Sequence, residues 1–243
     1  MNSYKESSIA EGARGVPVHP SSPPAPSFDA IPPPDPESRI YNIYHTVLHH
    51  HYDVTLADKT PLYHVENSLI RPKKPDLTVH AGTNESGPVV AVCKFLHFSR
   101  HLKVGLGDPQ NFSDVQWEDL VCQNYQLTKY RWQMTTRTPY RETVKRSFVW
   151  KRTHNVGVED SKPSVLSSRN FKLVNEQTGR IVAVFTSNSL KSFTKCGKLQ
   201  IAADYGPEFE LMVILTVLAL YEKQRRRNNS SSGGSGGGGG GGG

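Results

Sequence analysis

One apolar run near the C-terminal end constrains the fold of this chain more than any other feature. It lies in "PEFELMVILTVLALYEKQRRR", residues 207–227, where only Glu210 and Thr216 interrupt the apolar residues between Phe209 and Tyr221. A proline opens the segment, acidic residues follow it and basic residues close it, which suits a helix and its dipole. The apolar side chains fall on every face of that helix and leave no polar stripe for water. The pattern therefore predicts a helix that is buried on all sides.

A membrane span is the alternative for an apolar helix. The stretch from Leu211 to Tyr221 would extend only about 16 Å, whereas the hydrocarbon core of a bilayer measures roughly 30 Å. A tail anchor would also carry the arginines at 225–227 to the far side of the membrane, against the positive-inside rule. We therefore expect no transmembrane segment, and we expect the rest of the chain to enclose the helix.

Two segments of unusual composition flank the part of the chain that can form a core. Residues 1–38 are rich in proline and poor in apolar side chains, and residues 228–243 consist of Asn, Ser and Gly. Both compositions are typical of disordered tails. We predict one folded domain over residues 39–227, which is long enough to bury a substantial core.

The N-terminus and the cysteines bear on the cellular compartment. The N-terminal residues show no charged start followed by an apolar stretch, so we expect no secretory signal. The three cysteines, Cys93, Cys122 and Cys196, are odd in number and widely spaced, which favours reduced thiols over a disulfide framework. These features predict a cytoplasmic protein, with the nucleus and peripheral association with a membrane as open alternatives.

The chain between the tails shows the period-two alternation of β-strands, with β-branched and aromatic residues between turn signals. Hairpins are predicted in "YDVTLADKTPLYHVEN", "DLTVHAGTNESGPVVAVCKFLHF" and "NFKLVNEQTGRIVAVFTSN", and a further strand in "GKLQIAAD". The segments "YQLTKYRWQMTTR" and "RETVKRSFVWKR", joined by "TPY", predict another hairpin. A sheet of about twelve strands can close on itself, and closure removes exposed edges. The predicted fold class is mainly β, a closed antiparallel β-barrel around a buried hydrophobic C-terminal α-helix.

These features, in this order, resemble the tubby C-terminal-like superfamily, which includes the plant LURP-one-related proteins and the phospholipid scramblases. The resemblance covers residues 39–227 and rests on "VTLADKTPLYHV", on "FKLVNEQTGRIVAVF" and on "GKLQI" followed by the apolar "FELMVILTVLALYE". It implies a barrel of about twelve antiparallel strands around a hydrophobic C-terminal helix. It also implies binding of phosphoinositide headgroups by basic side chains on the barrel surface, as in tubby domains.

Motifs of enzymes and of lipid scrambling are missing from the sequence. It has no cysteine-rich lipidation cluster and no acidic calcium loop of the D-x-D kind, in contrast to a scramblase. It has no GxSxG, CxxC or HExxH motif, and its glycine-rich stretch lies in the tail, away from any predicted strand or helix. We therefore expect a non-enzymatic protein without a cofactor.

Two histidine-rich segments raise the question of a metal site. The segment "HTVLHHH" holds His45 and residues 49–51, and "CKFLHFSRH" places Cys93, His97 and His101 four residues apart. On a helix this spacing would bring ligands together. On a strand, residues four apart are separated by about 13 Å, farther than one zinc ion can bridge. Because "VVAVCKFLHF" has the pattern of a strand, we predict no metal site.

The basic hairpin, residues 129–152, is the candidate ligand-binding site. It contains eight basic residues and one acid, Glu142, so its net charge of plus seven equals the formal net charge of the whole chain. Strand alternation predicts an apolar inner face made of Tyr130, Trp132, Met134, Val144, Phe148 and Trp150. Arg146 falls on the same face and is its basic exception. The predicted ligand-binding residues are the outward basic ones, with two arginines near the tip: Lys129, Arg131, Arg137, Arg141, Lys145 and Lys151.

The expected ligand is an anionic phospholipid headgroup. Like charges on neighbouring strands repel and lower stability, and a bound anion would relieve that repulsion. Each basic side chain near an anionic membrane contributes about 1 kcal/mol to membrane binding. A solvated basic face without a ligand is the alternative. Nucleic acid is less favoured, because the aromatic residues that could stack on bases face inward.

An adaptor protein is the other alternative, since "PVHP", "PSSP", "PPAP" and "PDPE" could dock on an SH3 or WW domain. The sequence does not determine the oligomeric state.

Overall fold

The computed structural model describes residues 39–46, 50–68, 74–111, 113, 115–137, 143–159, 163–164, 167–188, 192 and 194–232. Residues 1–38 and 233–243 lie outside the described residues, so the disorder predicted for them stays a prediction.

Twelve β-strands and one α-helix make up the described part of the chain. They are β1 (Arg39–His45), β2 (Tyr52–Leu56), β3 (Pro61–Asn67), β4 (Leu77–Ala81), β5 (Val89–Phe95), β6 (Leu102–Leu106), β7 (Gln116–Cys122), β8 (Lys129–Arg137), β9 (Thr143–Arg152), β10 (Phe171–Asn175), β11 (Ile181–Ser187), β12 (Lys195–Ile201) and α1 (Pro207–Ser232). Each strand pairs antiparallel with its neighbour in the chain, and β1 also pairs with β12, so the sheet is a closed barrel. The predicted fold class is confirmed.

Helix α1 lies inside this barrel. Its residues from Met212 to Tyr221 are buried, as is Phe209 near its start. Strands from different parts of the wall contact its two ends: the rings of Trp132 and Phe148 lie 6.1 and 5.0 Å from the ring of Phe209. At the other end, the rings of β2 and β11 aromatic residues lie 6.2 and 5.9 Å from that of Tyr221. The helix is therefore buried by the barrel wall, as its all-round apolar surface predicts.

The polar residues of the helix have partners inside the barrel. The hydroxyl of Thr216 donates to the carbonyl of Met212 at 2.7 Å and accepts from the Trp150 indole N–H at 2.9 Å. The fully buried carboxylate of Glu222 accepts hydrogen bonds from the Tyr52 hydroxyl and from arginines one turn further along the helix. Buried polar groups are tolerated when they are hydrogen-bonded, so these two residues do not interrupt the core.

The helix extends further than the predicted domain. It continues past Arg227, the predicted end of the domain, to Ser232. The Gln224 side chain donates to the Asn228 side-chain oxygen at 3.1 Å, and the Ser230 hydroxyl donates to the Arg227 carbonyl at 2.9 Å. Local side-chain hydrogen bonds therefore accompany the added turns, although their Asn and Ser residues resemble those of a flexible linker.

Part of the outer wall of the barrel is covered. Val156 and Val158, which follow β9 in the chain, form a small apolar cluster with Val174, Ile181 and Val184 on β10 and β11. The Val158 backbone N–H donates to the Thr186 hydroxyl at 3.0 Å and fixes this segment to the wall. The outer face of β10 and β11 is thus partly occupied by the protein's own chain.

Candidate functional site

The basic hairpin forms as its alternation predicts. Strands β8 and β9 pair without a register shift from Lys129 opposite Lys151 to Arg137 opposite Thr143. The aromatic side chains of the predicted inner face are all at most 3% exposed: Tyr130, Trp132, Phe148 and Trp150. These rings belong to the barrel core and are not available to stack on the bases of a nucleic acid.

Arg146, the exception on the inner face, has its own partners near the start of helix α1. Its Nε–H donates to the Thr136 hydroxyl at 2.8 Å, and its guanidinium lies 4.9 Å from the centre of the Tyr205 ring. A cation over an aromatic ring is stabilised by the ring's quadrupole. Arg146 is therefore held by the protein itself and does not add to the outer basic surface.

Lysines from three adjacent strands occupy one row on the outer face. Lys129 of β8 lies opposite Lys151 of β9, and Lys151 in turn lies opposite Lys172 of β10. Lys129 is exposed, Lys151 is half-buried and Lys172 is buried. We call these three residues the lysine row. Sequence reasoning missed Lys172, because only the register between β9 and β10 brings it beside the hairpin.

Two of the predicted basic residues lie close to acids from neighbouring elements. The Arg131 Nε donates to the Glu176 carboxylate at 2.6 Å, and its Nη2 donates to the Ser147 hydroxyl at 2.8 Å. Lys145 lies near Glu118 of β7, whose pKa is raised by burial and lowered in part by the positive charge of Lys145. The charge of the hairpin is thus partly balanced by residues outside it, which the count of plus seven does not include.

The tip of the hairpin can be described only in part. Arg137 ends β8 opposite Thr143. The side chain of Arg137 and all of Arg141 lie outside the described residues. Their predicted role in ligand binding therefore stays a prediction, and the lysine row is the part of the site whose geometry is defined.

Strands β7 and β8 separate below the lysine row. They pair at only two positions, Val121 with Arg131 and Cys122 with Tyr130. A cavity of about 220 Å³ follows between them and reaches Met212 of the central helix. The strand pairing of the barrel wall is therefore interrupted beside β8 of the basic hairpin.

The histidines and cysteines are spread over the barrel. Cys93 faces the core, where burial raises the pKa of its thiol, whereas the ring of His101 lies at the end of the barrel and accepts the Cys122 backbone N–H at 3.0 Å. The His51 and His64 rings lie 5.6 Å apart on the outer side. Among the described residues, no group of three or more His, Cys, Asp or Glu side chains is arranged to hold a metal ion.

The three cysteines do not pair with one another. Cys93 and Cys196 are buried and Cys122 is half-buried, and all three are free thiols. Burial raises the pKa of the Cys196 thiol to about 12. Buried thiols of this kind are chemically inert in the folded state.

The similarity of this chain to known proteins is low. No protein family model and no curated protein matches the sequence. The chain is similar to the X-ray structure of a protein from Arabidopsis thaliana, with 15% sequence identity and a TM-score of 0.40, over 76% of this chain and 94% of the other. Within the described part of the chain, no helix has an apolar stretch long enough to cross a bilayer. These comparisons assign no ligand and no activity to this chain.

Proposed function

We propose that this protein binds anionic phospholipid headgroups, phosphoinositides in particular, on the outer face of β8 and β9, and that it catalyses no reaction on them. The observation that carries the proposal is the pair of facing lysines Lys129 and Lys151 within the lysine row. Lysines directly opposite one another on neighbouring strands repel, and an anion bound between them removes that cost. Arg131, two residues further along β8 on the same face, is paired with the Glu176 carboxylate and is not part of this uncompensated charge. The resemblance to the tubby C-terminal-like superfamily supports the same ligand class.

A second pair of facing lysines on the same barrel shows what is distinctive about the first. Lys94 of β5 lies opposite Lys103 of β6. Lys103 has the Asp119 carboxylate at 3.4 Å, and the Lys94 ammonium lies 5.4 Å from the centre of the Trp117 ring. No ion pair within the described part of the chain involves Lys129 or Lys151. The pair on β5 and β6 is compensated by the protein, whereas the pair on the hairpin is left for an external anion.

We propose that the protein lies in the cytoplasm and associates reversibly with a membrane surface. Two lysines near an anionic surface contribute about 2 kcal/mol, or roughly a thirtyfold change in binding. Headgroup recognition of this kind depends on charge, so it should weaken as the salt concentration rises.

The test measures binding to phosphatidylcholine vesicles that contain phosphatidylinositol bisphosphate, with single-stranded oligonucleotides as a second ligand. We expect the double variant Lys129→Ala, Lys151→Ala to lose roughly thirtyfold in vesicle binding. The matched control, Lys94→Ala with Lys103→Ala, removes the same charge from the compensated pair and should bind as the wild type does. Equal binding by both double variants would refute the hairpin site. Loss of oligonucleotide binding alone would favour a nucleic-acid ligand.

A further inference from the structure

Two aromatic side chains project from the end of the barrel next to the lysine row. Phe98 lies between β5 and β6 and is fully exposed, and Tyr125 lies between β7 and β8 and is 84% exposed. The backbone of Phe98 has a φ of 56°, in the left-handed region that bulky residues rarely adopt. Large apolar side chains are normally buried, so two such residues on adjacent loops need an explanation. We call Phe98, Tyr125 and the groove between them the aromatic rim.

The bases of both loops are attached to the barrel. The ammonium of Lys223, two residues after the buried Tyr221 of helix α1, donates to the Arg100 carbonyl at 3.0 Å. The Arg100 guanidinium lies 4.5 Å from the centre of the Tyr125 ring, and the backbone N–H of Cys122 donates to His101 Nδ1 at 3.0 Å. The loops are thus held to the helix and to each other. The exposed rings stand on a defined support.

The surroundings of the aromatic rim are basic. Of the described residues that line its groove, none is acidic, and Arg100 is among them. Arg152, at the end of β9, lies near Arg227 of the helix; burial and the charge of Arg227 both lower the pKa of Arg152. The Arg152 Nε is buried without a hydrogen-bond partner, and no ion pair among the described residues involves either arginine. Two arginines in this arrangement favour a bound anion.

The aromatic rim and the lysine row are continuous. The Arg152 backbone N–H donates to the Thr128 carbonyl at 3.0 Å, which joins the end of β9 to the loop that carries Tyr125. Lys129 follows that loop directly and begins the lysine row. One corner of the barrel therefore presents lysines on its side, arginines at its mouth and aromatic rings at its edge.

We propose that this corner docks on an anionic bilayer, with Phe98 and Tyr125 inserted among the headgroups while Arg100, Arg152 and Arg227 contact lipid phosphates. The inference rests on the proposed headgroup site and adds an apolar contact and an orientation to it. Aromatic side chains favour the membrane interface, where one end of the ring is apolar and the other is wet. A protein partner would require an interface of at least about 1,000 Å². Among the described residues, the large apolar side chains that are exposed are Phe98 and Tyr125 at two loop tips and, to a smaller extent, Val121 of β7.

The test separates headgroup recognition from insertion. The double variant Phe98→Ser, Tyr125→Ser should bind vesicles containing phosphatidylinositol bisphosphate about tenfold more weakly. It should keep the wild-type thermal transition and the wild-type affinity for soluble inositol trisphosphate, because the lysine row is unchanged. The variant Lys129→Ala, Lys151→Ala should lose both kinds of binding. The variant Phe98→Trp keeps an aromatic ring and should bind vesicles normally. On binding, the fluorescence emission of the introduced tryptophan should shift to the blue and should be quenched by brominated lipids.

The possible outcomes distinguish failure of the insertion model from failure of the headgroup site. Unchanged vesicle binding by the serine variant, without a blue shift in Phe98→Trp, would overturn the insertion model and leave the headgroup site intact. A wild-type protein that binds neither vesicles nor inositol trisphosphate would overturn both. Loss of a co-purifying protein from the serine variant, with vesicle binding unchanged, would assign the aromatic rim to a protein partner and refute the insertion model.

Discussion

Enclosure of helix α1 can be tested by making the same substitution at two positions of the helix. Leu215 is fully buried at the middle of the apolar run, whereas Leu211, one turn earlier, is only half-buried. Leu215→Ala removes three carbons from a site enclosed by the barrel wall, where little collapse can fill the space. The expected loss is roughly 3 to 4 kcal/mol in the free energy of unfolding. Leu211→Ala should cost only about 1 kcal/mol, because part of its side chain already faces water.

The assay is urea unfolding at equilibrium, followed by tryptophan fluorescence, since Trp132 and Trp150 are buried against the helix region. The cost for Leu215→Ala corresponds to a fall of about 10 °C in Tm for a domain of this size. The variant Leu215→Lys places an unpaired charge in the core and should give no soluble monomer. Equal costs for the two alanine variants would refute the enclosure of the helix, and so would a folded, monomeric Leu215→Lys with an unchanged Tm.

Two further predictions concern buried ionisable groups. Hydrogen bonds from Arg225 and Tyr52 outweigh the effect of burial and lower the pKa of Glu222. The Glu222 carboxylate therefore stabilises the fold above about pH 4.5, and this contribution is lost as the pH falls through the folded-state pKa. Glu222→Gln should flatten the dependence of Tm on pH in that acidic range, and an unchanged slope would contradict the role of the carboxylate. Burial raises the pKa of the Cys93 and Cys196 thiols, so a thiol reagent should label only Cys122 in the folded protein and all three cysteines in urea; equal labelling rates in buffer would contradict this.

The central helix and the closed sheet could be predicted because both have local signals. Because the surface of α1 is apolar on every side, the rest of the domain must enclose it completely. Alternation of apolar and polar residues identifies strands such as β8 and β9. Strand β7 has no such signal, because Glu118 lies opposite the buried Val104 and interrupts the alternation. Strand β6 is short, and a Cβ at Gly105 would lie 2.6 Å from Val115 Cγ1, so this position cannot carry a β-branched residue that would mark the strand.

The outer face that carries the candidate site could be predicted, but the contacts that its basic side chains make could not. Alternation along β8 and β9 is a local property, and it places the basic side chains outside. The neighbours of those side chains depend on register with other strands, which the sequence does not reveal. Glu176 balances Arg131 from the turn after β10, and Lys172 extends the row from within β10. The exposure of Phe98 depends on a left-handed backbone in a loop, for which the sequence contains no signal.

A filled barrel restricts where a ligand can bind. Closed barrels can hold a ligand in their interior, but here helix α1 and the aromatic residues around it, such as Trp132 and Phe148, occupy that space. The sites that remain for a ligand include the end of the barrel, the opening between β7 and β8 and the outer face of the wall. In the proposed docking on a bilayer, the lysine row would supply the charged contact, and the loops that carry Phe98 and Tyr125 would supply the apolar one. Because the two are adjacent at one corner, a single surface that is anionic outside and apolar beneath fits both, and a bilayer has that structure.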